Sequence, residues 1–120
     1  MDAMMTFDKA RAAKIAELND ELRISTFDAA ASQNKIMVAG ELGSDVEMVA
    51  RVLRAAAAFK DFNADNDPYG EHDCASFDVH GVRCLFKIDY YDLNLEWHSP
   101  DPTDPKVTRR VMTVMYARDY

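Results

Sequence analysis

A chain of 120 residues, 48% hydrophobic and 29% charged, holds apolar material for one modest core and too much charge for a membrane or low-complexity protein. Its net charge of −7 is concentrated: residues 61–104 carry eleven acidic side chains against Arg83 and Lys87, which disfavours direct binding to nucleic-acid phosphate. No apolar run approaches the roughly 18 residues of a membrane span, the opening MDAMMTFDKAR lacks a signal-peptide core, and two cysteines without a secretory signal read as free thiols, so a cytoplasmic single domain over 1–120 is expected.

Thr6 to Arg23 reads as a helix. Phe7, Arg11, Ile15, Leu18 and Leu22 recur at spacings of three and four, Ala10, Ala12, Ala13 and Ala16 are strong helix formers, and Thr6 can cap the start. A polar stretch from Ile24 to Asn34 ends in the turn chemistry of Ser32-Gln33-Asn34. Lys35 to Ala39 is a short apolar run that stops at Gly40, as a strand would. Ser44 and Glu47 have the spacing of a capping box, which predicts a helix from Asp45 to about Phe62. Its apolar stripe reads Val46, Val49, Ala50, Leu53, Ala56, Ala57 and Phe59. Beyond it, Asp61, Asn63, Asp65 and Asp67 imitate the start of a calcium loop. Asn66 stands where such a loop needs glycine and His72 where it needs glutamate, so turns that end the helix are the better reading.

The next stretch predicts a sheet. Ala75, Phe77 and Val79 alternate with polar neighbours, as do Val82, Cys84, Phe86, Ile88 and Tyr90, and His80-Gly81 between them suits a two-residue hairpin turn. That turn sets a register: Val79 faces Val82, Asp78 faces Arg83, Phe77 faces Cys84, Cys74 faces Lys87 and His72 faces Asp89. The cysteines then point to opposite faces, against a disulfide. A second hairpin turns within Tyr91-Asp92-Leu93-Asn94, with a loop of four residues or of two, and either puts Leu95 and Trp97 on the inner face of a third strand. Ser99-Pro100-Asp101-Pro102-Thr103-Asp104-Pro105 is a stiff connector. Asp104-Pro105 can open a final helix with Val107, Val111, Val114, Met115 and Arg118 on one stripe, although the β-branched content also suits a strand. The fold class is α+β: helix-strand-helix, a three-strand antiparallel meander and a C-terminal helix, with the helices on one face of the sheet.

Four segments together resemble a known family. They are Asn66-Asp67-Pro68-Tyr69-Gly70-Glu71-His72-Asp73, Lys87-Ile88-Asp89-Tyr90-Tyr91-Asp92, Ser99-Pro100-Asp101-Pro102 and Arg110-Val111-Met112-Thr113. They are similar to a family of small uncharacterised alphaproteobacterial proteins, a domain of unknown function often associated with plasmids and other mobile elements. The resemblance implies a fold unit and a setting and carries over no catalytic residues. In that family the turn after Asp92 often reads as an acidic, proline-containing loop; here it is Leu93-Asn94.

Two functions follow as expectations. The first is a small acidic interaction module that binds a protein partner through Asp67, Tyr69, Glu71, Tyr91, Asp92 and Asp101, because tyrosines among carboxylates favour protein over DNA. In the setting the resemblance implies, such a module would imitate DNA and block a defence enzyme. The second is a metal-dependent or acid–base hydrolase with catalytic His72, Asp89 and Glu96, built on the predicted cross-strand pair and flanked by His98, Glu71 and Asp73. No spacing specific to a metal, a phosphate-cradling loop or a cysteine nucleophile is present in the sequence, so no cofactor is predicted.

Overall fold

The computed structural model describes residues 3–25 and 33–120, with side chains described from Asp8 onward in the first helix. The predicted Thr6 cap, the Phe7 side chain and Ser32 of the predicted turn lie outside the described residues. The elements are α1 (Ala3–Ile24), β1 (Lys35–Val38), a 3-10 turn (Gly40–Ser44), α2 (Val46–Ala58), β2 (Cys74–Val79), β3 (Val82–Tyr91), β4 (Arg109–Tyr116) and a second 3-10 turn (Ala117–Asp119). The architecture is α+β, as expected. The sheet has four strands in the order β1-β4-β3-β2, with β1 parallel to β4 and the other pairs antiparallel.

The first hairpin has the predicted register, Cys74 opposite Lys87 through Val79 opposite Val82. His80 and Gly81 turn with φ of 50° and 77°, the left-handed pair that a two-residue turn joining twisted strands requires. Two other elements differ from the sequence reading. The predicted third strand is a loop: the Asp92 N–H donates to the Trp97 carbonyl (2.8 Å), and only an isolated bridge joins Tyr91 to His98. The predicted C-terminal helix is strand β4. Arg110, Met112, Val114 and Tyr116 face the core at a spacing of two, and β4 pairs with β3 from Cys84 to Tyr91. Asp104 does bond the chain ahead of it, but as a turn: its carboxylate accepts from the Lys106 N–H (2.9 Å) and its carbonyl from the Val107 N–H (3.2 Å). Hydrogen bonding to two neighbours lets β4 take the extended form its β-branched residues prefer over the competing helical stripe.

Both helices cover the same face. Ile15 and Leu22 of α1 and Met48, Val52 and Ala56 of α2 meet Ala75, Val79, Cys84, Phe86, Ile88, Tyr90, Met112, Val114 and Tyr116 of the sheet. Each fully buried Phe86, Val52 or Met112 contributes roughly 1.5–3 kcal/mol of transfer free energy. The stripe of α2 is rotated from the predicted one: Val46 is 82% exposed, and Met48 and Val52 are inside. The helix starts one residue later than a capping box at Ser44 would place it, because the Asp45 carboxylate accepts from the Met48 N–H (3.1 Å). It ends at Ala58, not Phe62. Phe59 is extended, and the Arg23 guanidinium from α1 donates to the Ala56 and Phe59 carbonyls, placing a cation at the negative end of the helix.

Candidate functional site

His72 stands two residues before β2. The Asp73 carbonyl still accepts from the Ile88 N–H (2.7 Å), but at His72 the chain adopts φ 56° and leaves the sheet. The imidazole therefore does not reach Asp89. Its Nδ1 lies 3.0 Å from Asp20 of α1, its Nε2 lies 3.8 Å from the buried Asp67, and its ring stacks on Phe62 with centroids 4.0 Å apart. The His72 N–H donates to the same Asp67 carboxylate. Asp20 also receives Arg23 (2.6 Å), whose guanidinium lies over the rings of Phe62 and Phe86. This cluster ties α1 to the segment before the sheet.

Asp89 lies on the opposite, helix-free face, paired with Lys87 at 3.0 Å. That hydrogen bond raises the Lys87 ammonium above its ordinary value. Asp89 lines a cleft of about 300 Å³ with Asp73, Ile88, Tyr90, Tyr91 and His98. Burial first, then the nearby carboxylates of Glu71, Asp67 and Asp89, hold Asp73 above the usual carboxylate range, against the lowering effect of its own backbone N–H. Glu96 is exposed on the 92–97 loop, where its N–H donates to the Asp92 side chain (3.0 Å). The predicted trio is thus distributed over three places, and Asp89 shares its cleft with Asp73 and His98 instead.

The six predicted binding residues do not form one patch. Asp67 is buried, and Glu71 accepts the Tyr90 hydroxyl (2.9 Å). Tyr69 is exposed beside α1, Tyr91 is half-buried on the outer sheet face, and Asp92 organises its own loop. Asp101 accepts the Thr103 hydroxyl (2.6 Å) and N–H (3.1 Å), which lowers its pKa. Much of the negative charge therefore does local turn work. What projects outward instead is Trp97, 74% exposed, with Leu93 also exposed, on the loop that leaves β3. The loop is fixed by Asp92 N–H to Trp97 carbonyl, Leu95 N–H to Asp92 carbonyl and Glu96 N–H to Asp92 carboxylate, with Leu95 held at φ 59°.

Sequence reasoning missed the buried polar network under the sheet. Asn19 is fully buried on α1. It donates to the Tyr90 hydroxyl and the Glu71 carbonyl (2.9 Å each) and accepts from Arg110 Nε (2.9 Å). Arg110 is 1% exposed, donates to the Pro102 carbonyl and lies over the Tyr90 ring. Burial pushes the Tyr90 phenol well up and the Arg110 guanidinium down. The available signal was Asn19 on the apolar stripe between Ile15 and Leu22. Among the described residues, no group of three or more His, Cys, Asp or Glu is placed to hold a metal ion, and no helix is long and apolar enough to cross a membrane.

A family model described as protein of unknown function (DUF3768) matches residues 37–119, well over half of the chain. The chain belongs to the DUF3768 family. The match takes in the second half of β1, α2, the acidic loops, β2, β3 and β4, so the DUF3768 region contains His72, the Asp73–Asp89–His98 cleft and the Trp97 loop. Helix α1, which brings Asn19, Asp20 and Arg23 to that region, precedes the match. The comparison with curated proteins returns no match, and neither does the comparison with solved structures.

Proposed function

We propose that this DUF3768 protein is a small interaction module that engages a protein partner through the Trp97 loop and the acidic connector after it. The observation that carries the reading is the only tryptophan of the chain, three-quarters exposed on a loop that its own hydrogen bonds hold in shape. A large aromatic side chain that needs no ordering on binding is the usual centre of an interface. Asp92, Glu96, Asp101 and Asp104 flank it in the sequence with no lysine or arginine between 92 and 104, so the complementary pocket is apolar with a Lys- or Arg-rich rim. A nucleic-acid-binding enzyme offers such a rim, which keeps the DNA-imitating, mobile-element reading as its finer form. The test places a photo-crosslinking residue at position 97, identifies the adduct by mass spectrometry and titrates the purified partner. Trp97→Ala should weaken binding at least ~30-fold, the hot-spot scale. Unchanged affinity in that variant overturns the reading.

The cleft supports a second reading, acid–base hydrolysis. Two neighbouring carboxylates in different surroundings suit opposite proton roles, with Asp73 as the acid, Asp89 as the base and His98 beside them. Activated ester and phosphodiester substrates test it; turnover unaffected by Asp73→Asn and His98→Ala, or none at all, removes it.

A further inference from the structure

We infer that two copies of this chain join edge to edge through β2, with Ser76 on the two-fold axis. β2 is an outer strand of the sheet. The bond from Ile88 N–H to the Asp73 carbonyl shows that Asp73, Ala75, Phe77 and Val79 are the residues whose backbone groups face β3. The N–H and C=O groups of Cys74, Ser76 and Asp78 therefore point away from the sheet, and among the described residues none of them has a backbone partner. Edge strands that stay single are guarded by lysine, proline or a bulge. β2 has none of these: its register runs unbroken from Cys74 to Val79, and its one charge, Asp78, is already paired with Arg83 (3.3 Å), which also donates to Ser76 Oγ (3.0 Å).

A second observation lies under the same edge. Phe59, Phe62 and Phe77 form a row of ring contacts, 4.9 Å and 6.2 Å between centroids, yet all three remain half-buried. A neighbouring sheet edge would cover Phe77 on the side that the chain leaves open.

The register selects a second copy as the occupant. With Ser76 opposite Ser76 of the second copy, Cys74 falls opposite Asp78 and Asp78 opposite Cys74, and every outward backbone group on both strands finds a partner. On the inner face Phe77 meets Ala75, so the two rings are staggered instead of colliding. On the outer face no carboxylate faces a carboxylate, and each Asp78 is delivered to the Cys74 rung, which Lys87 completes within one chain. There a recess of about 220 Å³, lined by Asn66, Cys74, Ser76 and Lys87 among others, gives it room. The product is one continuous eight-stranded sheet with all helices on the same side.

The test is sedimentation velocity of the intact protein, with backbone amide exchange read by NMR. At roughly 100 μM, well above the range of a micromolar contact, the wild type should sediment at twice the chain mass. The amides of Cys74, Ser76 and Asp78 should exchange about threefold slower there than at tenfold-lower protein, the inverse-square-root dependence of the monomer fraction on concentration, while loop amides such as that of Asp65 show no change. Ser76→Pro, which removes the outward donor at the axis, should give a monomer, and Ser76→Ala, which keeps it, a dimer. If Ser76→Pro fails to fold, the concentration dependence of the three wild-type amides decides alone. A wild-type monomer at 100 μM with fast edge amides overturns the proposal, as does a dimer that survives Ser76→Pro or leaves those amides fast. Edge amides protected only when an extended peptide from another protein is added would also overturn it and assign the edge to that peptide.

Discussion

Asn19→Ala removes the junction of the buried network, and its effect can be worked from the contacts. Three hydrogen bonds of 2.9 Å disappear: to the Tyr90 hydroxyl, to the Glu71 carbonyl and from Arg110 Nε. The first two are neutral bonds, each with a net value of about 1 kcal/mol. The third leaves one face of a 1%-exposed guanidinium without an acceptor, a loss of about 1.5–3 kcal/mol. Tyr90 keeps Glu71 and Arg110 keeps Pro102, so the damage is partial, and the sum is about 3–5 kcal/mol. Urea unfolding followed by helical circular dichroism measures it; Trp97 is already exposed and would be a poor reporter. The melting temperature should drop by roughly 10–15 °C. In an Arg110→Met background the same change should lose ~1.5 kcal/mol or more of its effect, because the buried charge is gone. A loss below ~1 kcal/mol in the wild-type background, or full additivity of the two changes, refutes the argument.

Three other outcomes are expected. Asp73 has a folded pKa above its ordinary 3.8, so the folded state binds more protons than the unfolded one between the two values; stability is greatest below that window and falls as pH rises through it. Asp73→Asn should therefore raise the melting temperature at neutral pH and leave it unchanged well below pH 3.8, and equal effects at both would contradict the assignment. Burial and the neighbouring Asp73 and Asp67 raise the Cys74 thiol, and Cys84 is inside the core, so iodoacetamide should label Cys74 slowly at pH 7 and faster as pH rises, with Cys84 labelled only in urea. Gly40 has φ 67°, and a Cβ there would lie 2.6 Å from Asp119 Oδ2, the group that accepts the Glu41 N–H; Gly40→Ala should cost about 1–3 kcal/mol in thermal unfolding, whereas a loss within ~0.3 kcal/mol would mean the turn relaxes freely.

The elements legible in the sequence were those in which local chemistry and core burial agree. The hairpin from Cys74 to Tyr91 combines period-two alternation with His80-Gly81, and α1 combines a period near four with alanines. β4 was obscured by the Asp104-Pro105 cap and the stripe of Val107, Val111, Val114 and Met115, which favoured a helix; as a strand it puts Arg110 on the core side, where Asn19 and the Pro102 carbonyl supply partners from 91 and 8 positions away. The third strand failed for the opposite reason. Leu95 and Trp97 alternate with polar residues, but β4 already occupies that flank of β3, so the segment becomes a loop and Trp97 faces water. The site was legible by stretch and not by pairing. The register from the turn put His72 opposite Asp89, but the ladder ends at Cys74 opposite Lys87 with one further bond at Asp73, and a single left-handed residue at His72 sends the ring to α1. The carboxylates of Asp67, Asp92 and Asp101 read as one continuous patch because composition does not distinguish a free acid from one bonded to its own turn.

The central position of β4 also governs the order in which the molecule can assemble. β1 pairs only with β4, β3 needs β4 for one of its two ladders, and Arg110 reaches α1 across 91 residues. During synthesis α1, β1 and α2 leave the ribosome long before any of them has its sheet partner, and they wait with apolar faces uncovered. The β2–β3 hairpin, closed by two turn residues, can form at once and would serve as the template onto which β4, drawing β1 and then α1 with it, adds last.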